Sequence, residues 1–177
     1  MWADTLPTNV FKVFIERLVV SKIFIVVLIV GLLAFFAWSA FGNKKAAGEN
    51  IEQGSKFMAG NKLVEGVIST SSGLQYLVLQ KGNGTEHPKA SDRVKVHYHG
   101  TLLDGTVFDS SVERGEAISF GLNQVIKGWT EGLQLMVVGE KTRLFIPSNL
   151  AYGKRNMGLI GPGSTLIFDV ELLGINE

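Results

Sequence analysis

The chain has 177 residues, 46% apolar and 19% charged, with 17 basic and 16 acidic side chains for a formal net charge of +1. That length allows about one domain with an appendage, on roughly 100–200 residues per domain, and the balanced charge argues against a nucleic-acid binder, which would show a basic stripe. The absence of cysteine rules out a disulfide scaffold, a thiolate zinc site, a thiol nucleophile and a lipoprotein cysteine, while leaving the redox compartment open.

No charge occurs between Lys22 and Lys44, and 17 of the 19 residues of Ile23–Phe41 are apolar. At about 1.5 Å per helical residue this stretch spans the ~30 Å hydrocarbon core, which predicts a transmembrane helix over 23–41 and contact with a lipid bilayer. A buried core helix would rarely run so far without a polar face. A cleaved signal peptide is the stronger rival, since Ala40-Phe41-Gly42 resembles a small-x-small cleavage site. The 22 residues before the apolar core, and the length of the core itself, favour a retained anchor over the ~7–15 apolar residues of a signal. Upstream, residues 1–22 form a flank in which Val10, Phe11, Phe14, Ile15 and Leu18 recur at helical spacing, as in an interfacial amphipathic turn or two. Lys12, Arg17 and Lys22 on one side and Lys44, Lys45 and Lys56 on the other leave orientation undecided by charge.

Residues 42–68 read as a linker and a short helix. Lys44–Glu49 is polar and charged, as in a linker, and 49–64 is weakly helical, with Ile51, Met58 and Leu63 roughly on one side. Gly48, Gly54, Gly60 and Gly66 recur every six residues, but the intervening residues do not repeat, so no solenoid is implied. From Ser69 the chain turns to short apolar runs punctuated by glycine, 15 of them in residues 73–177. Strands are expected over 74–80, 93–103, 107–109, 117–120, 141–147 and 164–173, separated by turns such as Lys81-Gly82-Asn83-Gly84 and Asp104-Gly105. Within 93–99, Val94, Val96 and Tyr98 alternate with Arg93, Lys95, His97 and His99, the mark of a half-buried antiparallel strand. Only 125–136 reads as a helix in this region. The fold class is therefore α+β, a bent antiparallel sheet of about five strands around one short helix.

Common catalytic constellations are absent from the sequence: no Gly-x-Ser-x-Gly elbow and no Walker A loop. His97 and His99 share a strand face but lack a matched third ligand, so a solvated pair is expected rather than a metal site. Asn83-Gly84-Thr85 satisfies the glycosylation pattern, which matters only in a eukaryotic secretory pathway. What stands out is a set of aromatic and branched residues beside turns and element ends: Tyr98, Phe108, Ile118, Val125, Ile126, Trp129, Tyr152, Ile160 and Phe168. Each taken alone is as readily ordinary core as pocket lining. Trp129 lies between Gly128 and Gly132, so its helix either packs tightly on the sheet or floors a pocket. Asp109 follows Phe108 and belongs on the opposite side of a regular strand, where a turn-capping role is the plain alternative.

Four separated blocks resemble the FKBP-type peptidyl-prolyl cis-trans isomerases: Arg93–Ser111 (RVKVHYHGTLLDGTVFDSS), Val125–Gly132 (VIKGWTEG), Ala151-Tyr152-Gly153 and Ser164–Leu173 (STLIFDVELL). Their order and spacing match over about residues 69–177. Asn61-Lys62, Glu65-Gly66-Val67 and Ser72–Tyr76 (SGLQY) further resemble the bacterial macrophage-infectivity-potentiator subgroup, in which a helical region precedes the domain and often dimerises. Here that region is a stub behind an apolar segment, a departure from the subgroup that leaves the oligomeric state open.

The resemblance implies an FKBP-like antiparallel half-barrel of five or six strands around a short helix, with the isomerase domain over 69–177. It implies an enzyme without cofactor or metal that rotates X–Pro bonds in unfolded or nascent polypeptides, and a pocket open to macrolide inhibitors. By the same carry-over, Tyr98, Asp109 and Tyr152 are the catalytic group. Phe108, Ile118, Val125, Ile126, Trp129, Ile160 and Phe168 bind substrate, Ile118 standing where the family is often bulkier or variable. Met157–Pro162 lacks a proline usual in this loop, so a looser conformation is expected there. Relatives of the subgroup mostly work outside the cytoplasm, which implies a single-pass bacterial inner-membrane protein with a periplasmic C-terminal domain, or a periplasmic protein if the segment is cleaved. A catalytically weak, membrane-tethered chaperone or proline-motif binding module is the alternative function, and an anchor for a partner complex is a third.

Overall fold

The computed structural model describes the backbone of residues 8–177 and the side chains of 28–38 and 41–177. The chain divides into two compact units, Met1–Gly42 and Asn43–Glu177. In the first unit the described backbone is helical and belongs to α1 (Thr8–Asn61). Large apolar side chains from Leu28 to Trp38, and Phe41, are 53–76% exposed. Among the described residues no helix is long and apolar enough to cross a membrane. The expected span covers 23–41, of which the side chains of 23–27 and 39–40 lie outside the described residues, as does the expected amphipathic face of 10–18.

The second unit opens with the end of α1. Residues 44–49, expected as a linker from their polarity, are helical. The stretch holds no proline or β-branched residue, and Lys45 and Glu49 form an i,i+4 ion pair at 3.9 Å. Charge density had suggested solvation, but Ala47 is only 1% exposed. The buried positions of this helix are Ala47, Gly54 and Met58, at spacings of seven and four, which is one helical face. Leu63, expected on that face, lies beyond the helix and is 80% exposed.

Seven strands follow, one more than the six apolar runs: β1 (Ile68–Ser69), β2 (Gln75–Gln80), β3 (Arg93–Thr101), β4 (Val107–Ser110), β5 (Ile118–Gly121), β6 (Lys141–Ile146) and β7 (Leu166–Ile175). They form one sheet in the order β1-β2-β6-β7-β3-β4, with β5 also paired to β3, and all pairings are antiparallel. One edge of β3 is thus shared, β5 pairing residues 93–96 and β4 residues 99–101. The buried residues of β7 alternate without a break through Leu166, Phe168, Val170 and Leu172, so one face of the sheet makes the core.

That face is closed by α3 (Lys127–Leu133), shorter than the expected 125–136 because Ile126 takes an extended conformation ahead of it. Two glycines set how closely it approaches. A Cβ on Gly128 would overlap Ile146 Cγ2, and one on Gly132 would meet Leu144 Cδ1 at 2.7 Å. A further helix, α2 (Ser111–Arg114), was not expected from the sequence. Ser110 caps it, Oγ accepting from the Glu113 N–H at 3.2 Å, which places Ser110 and Glu113 at the spacing of a capping box.

Candidate active site

The open end of the space between α3 and the sheet is a cavity of about 800 Å³. All ten residues singled out from the sequence line it: Tyr98, Phe108, Asp109, Ile118, Val125, Ile126, Trp129, Tyr152, Ile160 and Phe168. Four rings pack edge-on within it, and a fifth tilts against them. Trp129 lies 5.2 Å from Tyr98 and 5.0 Å from Phe168 between centroids, at 81° and 83°, and Phe108 meets Phe168 at 5.3 Å and 85°. Phe120, which the sequence reading left out, tilts against Trp129 at 5.3 Å. Its signal was present in the alternation of β5, where Ile118 and Phe120 share a face. Such edge-to-face pairs each contribute about 0.5–1.5 kcal/mol beyond area burial. The cluster needs Gly100 on β3, since a Cβ there would lie 2.8 Å from both Phe108 and Phe168.

Phe108 and Asp109 are consecutive yet line the same cavity, where a regular strand would set them on opposite faces. The register explains the difference. Gly100 pairs with Asp109 and Thr101 with Val107, so Phe108 is an extra residue in β4. The bulge re-aims its ring towards Phe168.

At the rim, Tyr98 Oη donates to Asp109 Oδ2 while Arg114 Nη1 donates to Asp109 Oδ1. Arg114 Nη2 also donates to Tyr98 Oη at 3.0 Å, with the guanidinium carbon 5.8 Å from the Tyr98 ring centroid. Burial alone would raise the Asp109 carboxyl, but the bonds from Tyr98 and Arg114 outweigh it and hold the group below the usual carboxylate range. Burial, then the bond to Asp109, pushes the Tyr98 phenol above its ordinary value. Asp109 is thus an ionised anchor for the phenol rather than a turn cap. Arg114, like Phe120, is absent from the sequence reading, because it stands on the four-residue α2.

Val125 and Ile126 form the edge beside α3, and the Ile126 carbonyl accepts from Trp129 and Thr130 backbone N–H groups at 3.0 and 3.1 Å. Tyr152 and Ile160 belong to the loop after β6. Expected to be loose, this loop is tied by Gly153 N–H to the Ser148 carbonyl at 2.8 Å, Met157 N–H to Ile160 at 2.9 Å and Gly163 N–H to Gly153 at 2.8 Å. The histidines expected to be solvated are half-buried instead. His97 Nδ1 lies 3.1 Å from Ser111 Oγ and His99 Nδ1 lies 3.0 Å from Ser110 Oγ, so both brace the start of α2.

An aromatic cup with a hydrogen-bonded polar rim thus lies between a glycine-bearing helix and an antiparallel sheet. Residues 84–173 match the FKBP-type peptidyl-prolyl cis-trans isomerase family, and 34–78 match the domain amino-terminal to it. The chain belongs to the FKBP-type peptidyl-prolyl cis-trans isomerase family. It is 58% identical over 133 residues to the FKBP-type isomerase FkpA of Aeromonas hydrophila, covering 75% of this chain and 49% of that one. It is 56% identical over 124 residues to the FKBP-type 22 kDa isomerase of Escherichia coli, covering 70% and 60%. The outer membrane protein MIP of Legionella longbeachae is 47% identical over 140 residues, covering 78% and 59%. The chain therefore spans between about half and three-fifths of these curated relatives. Among solved structures, FkpA from Escherichia coli superposes with a TM-score of 0.77 at 46% identity, covering 82% of this chain and 70% of that one. An isomerase from Pseudomonas syringae gives 0.67 at 39%, covering 73% and 96%.

Proposed function

We propose that this protein is a peptidyl-prolyl cis-trans isomerase acting on unfolded or nascent chains, held at a membrane by residues 23–41. The observation that carries the catalytic reading is the Trp129-floored cup with the Tyr98–Asp109–Arg114 group at its rim. Rotation about an X–Pro bond is opposed by a barrier of about 18–20 kcal/mol from amide resonance. No bond must form or break. A site lowers the barrier by binding the twisted amide better than either planar isomer.

Here the proline ring would sit on Trp129 between Tyr98, Phe108 and Phe168, with Ile118, Val125 and Ile160 closing around it. A twisted amide is less conjugated and less polar, so a site lined by rings favours it over water. The Ile126 N–H and the Tyr152 hydroxyl are the donors for the carbonyls flanking proline. Asp109 acts by fixing the Tyr98 phenol, not by moving a proton. A macrolide whose ring mimics the prolyl unit would compete for the same cup.

The test is the isomerisation rate of an X–Pro peptide with the full chain. The native protein should accelerate it, and Asp109→Leu and Phe168→Tyr should each lower kcat/KM by about tenfold or more, equivalent to about 1.4 kcal/mol. Native rates equal to the uncatalysed one, with peptide still bound, would leave a binding module in place of an enzyme.

The anchor rests on the apolar run of 23–41 and on the exposure of its described side chains. Burying them in lipid removes a surface that a soluble chain would leave in water. With the resemblance to envelope-working relatives, this favours an inner-membrane protein with its C-terminal domain in the periplasm. A reporter fused after Glu177 that is accessible from the cytoplasm would overturn the orientation.

A further inference from the structure

The pocket loop does not stand on the sheet alone. Its stem, Gly161-Pro162-Gly163, is seated on the end of α1, a segment outside the cup. Asn50 Nδ2 donates to the Pro162 carbonyl at 2.9 Å across 112 residues of sequence. Gly163 has φ +81° and lies so near the helix that a Cβ would stand 2.5 Å from the Ala47 carbonyl oxygen and 3.0 Å from Ile51 Cγ1. The same Gly163 donates its N–H to Gly153, closing the base of the loop that carries Tyr152, Met157 and Ile160.

The helix is itself held at several points. A Cβ on Gly54 would overlap Thr165 Oγ1, Phe57 packs on Phe145 at 5.8 Å, and Gln75 joins the helix end through Met58 and Asn61 at 2.8 Å each. A rigid helix tied to the sheet thus offers one side-chain donor to the stem of the loop that borders the site. An isolated backbone carbonyl on an otherwise glycine-rich stem has few alternatives for a fixed partner.

We propose that Asn50, with the turn of α1 from Ala47 to Ile51, is a positioning element of the pocket. It fixes the Gly161–Gly163 stem and so sets where Tyr152, Met157 and Ile160 stand when substrate binds. This rests on the isomerase reading above, but one of its measurements does not.

Asn50→Asp keeps the size of the side chain and removes the donor, and Asn50→Leu removes polarity. With the full chain, both should raise KM for an X–Pro peptide about threefold or more while kcat changes less than twofold, the signature of lost ground-state positioning. Amide exchange at Met157 and Gly163 should quicken in both variants, while exchange in β3 and β7 stays as in the native protein. Glu49→Gln, exposed on the neighbouring position, should move neither quantity. Unchanged KM and unchanged exchange in Asn50→Asp would overturn the proposal, as would a uniform rise in exchange that includes β3 and β7. If the native chain shows no isomerisation, the activity reading fails, while exchange at Met157 and Gly163 still decides whether Asn50 fixes the loop stem.

Discussion

Tyr98, Asp109 and Arg114 satisfy one another, and the protonation states this requires set a pH window. Asp109 must be ionised to accept from both partners, and its folded pKa lies below the ordinary value. Its contribution is therefore present above the usual carboxylate pKa of about 3.9 and is lost as pH falls through the lower folded value. Tyr98 is shifted upward, so the neutral phenol persists up to its ordinary pKa of about 10 and is lost only as pH rises through the raised folded value. Isomerisation should be flat between about pH 5 and 9, where neither group titrates. Arg114→Met removes one of the two donors to Asp109, so the acid limb should move to higher pH. A pH–rate profile for both proteins checks this, and coincident acid limbs would show that Arg114 does not hold the carboxylate. Most of the cup was legible in the sequence because Tyr98, Phe108, Trp129, Tyr152 and Phe168 fall in four spaced blocks, whereas Phe120 lies outside them. Arg114 was not legible, because one turn of helix between two strands leaves no periodicity to read.

At the scale of elements, the approach of α3 to the sheet depends on residues with no side chain. Gly128→Ala would gain up to about 1 kcal/mol of helix propensity. The added methyl overlaps Ile146, and overpacking a core costs about 1–3 kcal/mol. The second effect wins, and the thermal midpoint should fall by several degrees. Gly48→Ala on α1 is the counterpart: a Cβ there meets nothing within 4 Å, so only propensity acts and stability should rise by about 0.5–1 kcal/mol. Calorimetry on both variants separates packing from propensity. The strands were readable from alternation and turns, but the β4 bulge was not, since nothing in Val107–Ser110 marks Phe108 as the unpaired residue. The helical nature of 44–49 was missed because charge was taken as a sign of solvation, although its Lys, Ala and Glu are good helix formers.

For the whole chain, the two units predict different losses on truncation. Removing 1–42 takes away the apolar segment and leaves every cavity-lining residue and the helix turn beneath the loop. That protein should leave the membrane fraction and keep its rate on a short X–Pro peptide. Removing 1–68, the boundary suggested by the sequence blocks, also strips Ala47, Asn50 and Phe57 from the folded unit and should cost both stability and rate. Fractionation and a peptide assay on the two truncations check this; equal behaviour of the two would place the functional boundary at Ser69 after all. The 46% apolar content averages over these units, and among the described residues the buried apolar core lies in the second.

Trp129 is 5% exposed, its indole N–H has no acceptor among the described residues, and the other tryptophans, Trp2 and Trp38, both precede the second unit. The cup thereby carries its own optical probe. With Trp2 and Trp38 replaced by phenylalanine, all indole emission would come from the cup floor, in an apolar setting unquenched by solvent. A ligand settling on that ring changes the emission directly, so occupancy can be titrated without a label and separately from turnover.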